Sequence, residues 1–281
     1  MQDERITGGA RLEAKVALVV GGGSTGDYPG TGSAMARLFA AQGARVVVMG
    51  RTPDRTQKTV SAILEAGGEA AAFVGDTTRA QDCEAAVSTA LARFGRLDVL
   101  VNNVAVHKSV SLDAFDPEVW DEIYEGNLKA TMRMTAAAVP AMRQAGGGAV
   151  INIGSVAGLQ SSGAIGYGTA KGALIPLTRD MAMALGKDRI RVNCVIPGHL
   201  HTPHIARLSG GHDKNRELRN QLNMLGLEGD GWDAAFSALF FASDESRFVT
   251  GQCLQVDGGV TNILGMAQVL RTAATAEKTS G

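Results

Sequence analysis

Tyr167 and Lys171 stand four positions apart in YGTAKGALIPLTRDMAMAL, a stretch that reads as helix, and Ser155 ends the apolar run AVINIGS before it. Residues four apart share a helix face, so a phenol and an ammonium lie side by side. A neighbouring positive charge favours the phenolate. The expectation is that Lys171 lowers the Tyr167 pKa toward neutrality, so that the hydroxyl gives and takes a proton at physiological pH. Ser155, at the facing strand end, is placed to hold a substrate oxygen against that proton. A Tyr and a Lys at this spacing occur by chance in many helices. The pattern gains weight from a glycine-rich loop near the start of the same chain.

That loop is VVGGGSTGDYPGTGSAMARLFAAQGARVVVMGR. An apolar strand over Val16 to Val20 runs into glycines, a helix follows from about Thr31 to Gln42, and a second β-branched run covers Arg45 to Met49. Gly21, Gly30 and Gly32 let the backbone turn sharply and approach a pyrophosphate. The free N–H groups at the helix start, from Thr31 on, then bind the anion. With 36 glycines in the chain a plain turn is the competing reading. The strand-to-helix placement at the head of a βαβ unit favours the anion site.

Further segments in order along the chain resemble the short-chain dehydrogenase/reductase family, over about Glu13 to Gly259. They are Asn102–Asn103–Val104–Ala105, Asn127–Leu128–Lys129, Arg191–Val192–Asn193 with Pro197–Gly198, and a closing FVTGQCLQVDGG. Three departures stand out. Eight residues lie between Gly21 and Gly30 where the family has three, Val20 replaces a threonine, and Val104–Ala105 replace Ala–Gly. The resemblance implies that Tyr167 exchanges a proton with an alcohol or alkoxide while hydride passes to or from a nicotinamide. By the same resemblance Lys171 tunes Tyr167 and holds the nicotinamide ribose, Ser155 polarises the carbonyl, and Asn127 holds a relay water. Asn103 and Val104 lie beside the cofactor, and Asp76 faces the adenine. Pro197, Gly198, Leu200 and Thr202 flank the nicotinamide end. At the end of the second strand Gly50 stands where a ribose-binding acid would, and Arg51 and then Arg55 follow. An arginine fork suits a 2′-phosphate, so NADP is expected, with NAD possible.

The positioning elements follow from the apolar pattern. Strands are expected near 15–20, 45–49, 70–74, 97–101, 149–153, 190–195 and 252–256, and helices near 31–42, 54–66, 80–94, 117–144, 165–186 and 232–242. Short Val- and Ile-rich runs alternating with helices predict an α/β fold: one doubly wound parallel sheet of Rossmann type with helices on both faces. One catalytic domain is expected over 12–261, with tails at 1–11 and 262–281, the latter including AATAEKTSG. The segment from about Pro203 to Asp230, with His204, Leu208, Met224 and Leu225 beside Lys214, Arg216 and Arg219, is expected to be a specificity-bearing lid.

A net charge of −1 and a pI near 6.5 give no reason to expect nucleic acid or anionic membrane. No signal peptide or apolar run of membrane-spanning length is read, so a cytoplasmic enzyme is expected. Cys83, Cys194 and Cys253 read as buried free thiols. In HLHTPH, His199, His201 and His204 lack accompanying carboxylates, and no metal is expected. His107 and His199 are the candidates for the substrate pocket. The expected partner is a small to medium hydrophobic or cyclic alcohol or carbonyl compound. Two other readings compete: an enoyl-reducing relative, which typically has six residues between Tyr and Lys, and a dinucleotide-binding sensor or scaffold that does no chemistry. A homotetramer or homodimer is expected through helices 117–144 and 165–186. Leu128, Met132, Met134, Val139 and Met142 give the first of these more apolar positions than one buried stripe needs.

Overall fold

The computed structural model describes residues 7–26, 28–208 and 216–265. Seven strands form one parallel sheet: β1 (Val16–Val20), β2 (Arg45–Gly50), β3 (Glu69–Val74), β4 (Val99–Asn102), β5 (Gly148–Ile153), β6 (Ile190–Pro197) and β7 (Cys253–Val256). Their order is β3-β2-β1-β4-β5-β6-β7. The chain runs outward from β1 through β3, then crosses back to pair β4 with β1, and this reversal opens a crevice at the strands' carboxyl ends. Between the strands lie α1 (Thr31–Ala41), α2 (Pro53–Glu65), α3 (Ala80–Phe94), α4 (Pro117–Tyr124), α5 (Ala130–Gln144), α6 (Tyr167–Leu185), α7 (Pro203–Leu208), α8 (Arg216–Leu222) and α9 (Gly231–Ala242).

Alternation within each strand feeds two cores. Ala17 and Val19 of β1 pack with α1 and α9, whereas Val16, Leu18 and Val20 pack with α3, α5 and α6. Both faces are therefore apolar, and β1 is buried along its whole length. Each such Val or Leu contributes roughly 1.5–3 kcal/mol. Below the carboxyl ends, the Asn102 amide donates to Thr135 Oγ1 and Asn152 Oδ1, both at 3.0 Å, and Asn152 donates to Thr178 Oγ1. This buried chain of polar groups ties β4 and β5 to α5 and α6.

The helix expected over 117–144 is interrupted. A π-turn at Glu125–Lys129 separates α4 from α5. Gly126 there lies so close to Val106 that a Cβ would collide with it, and the neighbouring Asn127 is wholly buried. Wide turns of this kind are frequent at functional sites. The apolar surplus of this helix pair is also smaller than expected, because Met134, Val139 and Met142 are buried in the core and only Leu128 and Met132 retain exposure. Of the expected tail at 1–11, residues 1–6 lie outside the described residues and the rest is tethered: the Gln42 amide donates to Thr7 O, and Gly9 N donates to Ala41 O. At the other end Val260–Asn262 forms a helical turn, and AATAEKTSG lies outside the described residues, as do Asp27, His212 and Lys214. Among the described residues no helix is long and apolar enough to cross a membrane.

Candidate active site

The crevice at the β1/β4 reversal is a cleft of about 740 Å³. Glycines build its phosphate side. Gly21 leaves β1 at φ +70°, and a side chain there would run into the Asn103 carbonyl. A Cβ on Gly32 would strike Gly21 O and come within 2.5 Å of Asn103 Nδ2. Asn103 Nδ2 itself donates to Gly21 O at 2.9 Å, which clamps the end of β4 onto the loop. Gly30 is the N-cap of α1, and no side chain caps this end. The first amides of α1, at Thr31 and Gly32, therefore front the cleft as anion donors. An uncapped helix start against a glycine loop fits a dinucleotide pyrophosphate. Thr59 fastens the loop from behind, donating to Gly22 O at 2.8 Å.

The lengthened part of the loop does more than the sequence suggests. Gly23 and Thr25 line the cleft, Gly26 abuts Pro203 at the start of α7, and the Tyr28 ring stacks on His201 at 4.9 Å. Position 50 has little room for an acid, since a Cβ there would lie 2.5 Å from Thr56 Oγ1. Arg51 and Arg55 both line the cleft beside it. Asp76 faces the same end. Its burial acts to raise its pKa, but the Thr78 N–H it accepts and the nearby Arg51 and Arg79 hold it below the ordinary carboxylate value.

At the other end stand the groups with proton chemistry. Tyr167 opens α6, only 6% exposed, and Ser155 just beyond β5 lines the same cleft and acts on its hydroxyl. Lys171, one turn on and 3% exposed, donates to Val104 O and Ile153 O, both at 2.9 Å. These two carbonyls offset part of the penalty of a buried cation. Burial still pushes the Lys171 pKa down to about 8, with Cys194 acting slightly the other way. The expected lowering of the Tyr167 pKa by Lys171 is not met. The Lys171 ammonium lies 6.0 Å from the Tyr167 ring centroid and is bonded to backbone, while burial raises the phenol above its ordinary value and the neighbouring Ser155 only partly opposes it. Tyr167 is therefore protonated at neutral pH.

Gly21, Gly30, Thr31, Gly32, Arg51, Asp76, Asn103, Val104, Pro197, Gly198, Leu200 and Thr202 all line this cleft, as do Ser155, Tyr167, Lys171, His107 and His199. Asn127 does not. Its amide donates to Val106 O at 3.0 Å and Ile123 O at 2.8 Å, and its Oδ1 accepts from Val106 N. Both N–H groups of this side chain are thereby engaged, and it braces the 104–107 turn. His107 lies against the Tyr167 ring at 3.8 Å, and His204, expected in the lid, is 5.0 Å from His107. Of the HLHTPH histidines, His199 and His204 turn into the cleft and His201 turns away to Tyr28. The start of a helix at Pro203 is the one sequence signal for this, since it places His204 on the first turn. Arg219 reaches the cleft, while Arg216 pairs with Glu228. The described residues contain no cluster of three His, Cys, Asp or Glu suited to a metal.

Residues 27–261 match a family model described as enoyl-(acyl carrier protein) reductase. Short-chain reductase protein NovJ of Streptomyces niveus is 38% identical over 88% of this chain and 94% of its own. The 3-oxoacyl-(acyl-carrier-protein) reductase FabG of Thermotoga maritima is 34% identical, over 89% and 99%. A crystal structure of a protein from Burkholderia xenovorans, described as a short-chain dehydrogenase/reductase, superposes with a TM-score of 0.85 at 38% identity, covering 91% of this chain and 99% of that one.

Proposed function

The chain belongs to the short-chain dehydrogenase/reductase family of oxidoreductases, and from that premise we propose that it is an NADP-dependent carbonyl reductase or alcohol dehydrogenase. Members of this family bind NAD or NADP, and the bound nicotinamide supplies or accepts the hydride. The observation that carries the reading is the Tyr167–Ser155 hydroxyl pair: a buried phenol and a second hydroxyl that line the cleft together, beside the buried Lys171. Ser155 orients a substrate carbonyl oxygen, and Tyr167 hands that oxygen a proton as it gains charge. Lys171 holds the turns carrying Val104 and Ile153, and its positive charge makes proton loss from Tyr167 less unfavourable once the phenol gives up its proton.

The choice of NADP is supported by Arg51 and Arg55 at the cleft and by the crowding of position 50 against Thr56. Apolar Val106, Val156, Ala164 and Ile205 around the proton donor favour a medium-sized hydrophobic or cyclic ketone or alcohol. Carbonyl reduction is preferred over enoyl reduction because only three residues separate Tyr167 from Lys171. A dinucleotide sensor or scaffold has no need of a hydroxyl pair in this state. We read the protein further as a cytoplasmic homotetramer or homodimer, with one catalytic unit over 12–261, and contacts through Leu128 just before α5, Met132 on α5 and exposed Met183 on α6. A panel of ketones and alcohols followed by NADPH absorbance tests the activity. NADPH binding without turnover on any member would favour the sensor.

A further inference from the structure

Cys194 on β6 and Cys253 on β7 are direct register partners in adjacent parallel strands. Neighbouring strands lie roughly 4.8 Å apart, inside the range of about 4.4–6.8 Å between Cα atoms that a disulfide spans. Register partners also point their side chains to the same face. Here that face is the one covered by α6, where Cys194 Sγ donates to Val195 O at 3.6 Å and each thiol acts on the other's titration, with Lys171 near Cys194 and Arg179 near Cys253. Cys194 is fully buried, whereas Cys253 is partly open. Cys83 stands apart on α3, its thiol bonded to Thr77 O and pushed up by burial to about 11.

We propose that Cys194 and Cys253 are a peroxide-oxidisable dithiol that closes to an intramolecular disulfide tying β6 to β7 behind Lys171. Cys253 is the attacking sulfur, because it is the accessible one. Its pKa is held below the ordinary thiol value by the neighbouring Cys194 thiol, with burial opposing and Arg179 assisting, while the neighbouring Cys253 and burial raise that of Cys194. The Cys253 thiolate attacks a hydroperoxide oxygen, so that an S–O bond forms, the O–O bond breaks, and the departing alkoxide takes a proton and leaves as an alcohol. The product is a sulfenic acid. The Cys194 sulfur then attacks that sulfur. The S–S bond forms, the S–O bond breaks, and hydroxide leaves with the Cys194 proton as water. Two thiols and one hydroperoxide thus give one disulfide, one alcohol and one water, with the two electrons passing from sulfur to the peroxide.

The reactive pair lies directly under the catalytic turn. A Cβ on Gly154 would sit 3.2 Å from Cys194 Sγ, and Gly154 joins Ile153, which accepts from Lys171, to Ser155. Drawing the Cys194 sulfur toward β7 removes packing from beneath that turn, so a several-fold fall in turnover is expected on oxidation. This last expectation rests on the catalytic reading above, whereas the cross-link can be read without any substrate.

The test treats the full-length protein with hydrogen peroxide and maps its peptides by mass spectrometry, before and after dithiothreitol. The expected result is a Cys194–Cys253 linked peptide lighter by two hydrogens, reversed by reductant, lost in Cys253→Ser and kept in Cys83→Ser. Turnover of the oxidised protein should fall several-fold and recover on reduction. Sulfinic acid at Cys253 without the link, or only intermolecular cross-links, overturns the dithiol. A quantitative link with unchanged turnover in an active enzyme overturns the coupling to the site.

Discussion

Replacing Arg51 with Asp should move cofactor preference from NADP toward NAD, and the size of the shift follows from where Arg51 stands. It lines the adenosine end of the cleft but is exposed to solvent. A charge-assisted hydrogen bond is worth about 1.5–3 kcal/mol when well shielded, and exposure takes the value to the low end of that range or below. A loss of about 1.4 kcal/mol is tenfold in affinity. The introduced carboxylate adds repulsion of a few tenths to about 1 kcal/mol at physiological salt. The dissociation constant for NADPH should therefore rise by roughly 10–50-fold, while that for NADH changes by less than about threefold. Gly50→Asp alone should not create an NAD site, because Thr56 Oγ1 would stand 2.5 Å from the new Cβ. Titration of each cofactor by its fluorescence, at low and high salt, reads both constants. An unmodified protein that already prefers NADH by about tenfold, or an Arg51→Asp ratio shifted by less than threefold, would refute the reasoning.

Further outcomes follow from the same geometry. Between about 8 and the ordinary lysine value of 10.5 the unfolded chain binds more proton at Lys171 than the folded one, so stability should rise with pH across that window. Lys171→Met should flatten this slope in denaturant titrations, and in the unmodified enzyme kcat/KM for carbonyl reduction should fall above about pH 8. A profile level to pH 10 would count against a functional Lys171 charge. Gly32→Ala forces the loop away from Gly21 O and Asn103, an overpacking of about 1–3 kcal/mol, and should weaken NADPH binding at least tenfold by calorimetry. Asn127→Ala leaves Val106 and Ile123 backbone groups unpaired and should reduce unfolding free energy by about 1–3 kcal/mol; a change within 0.3 kcal/mol would show that the brace carries no weight.

The sheet was legible because its strands are short β-branched runs buried on both faces, a pattern that survives without knowledge of pairing. The phosphate loop was legible because glycines followed a strand and preceded a helix. What escaped depends on contacts distant in sequence. The π-turn at Glu125–Lys129 is continuous with helical periodicity on both sides, and only the close approach of Val106 to Gly126 reveals it. The protonation of Tyr167 reflects burial and the Lys171 bonds to Val104 and Ile153, so the four-residue spacing gave the neighbours but the wrong sign of the shift. Cys194 and Cys253 read as separate thiols because only the β6–β7 register makes them partners. The same limit applied to Met134, Val139 and Met142, whose burial spends the apolar positions read as an outer face.

The central claim is that the Tyr167 hydroxyl delivers the proton. Single-turnover reduction of the best carbonyl substrate by NADPH, compared between the unmodified protein and Tyr167→Phe, tests it most directly. General acids contribute about 10²–10⁴-fold. The account predicts a loss of that size, with NADPH affinity unchanged within about twofold because the ring still fills the space beside His107. A Tyr167→Phe rate within a few-fold of the unmodified protein would contradict it.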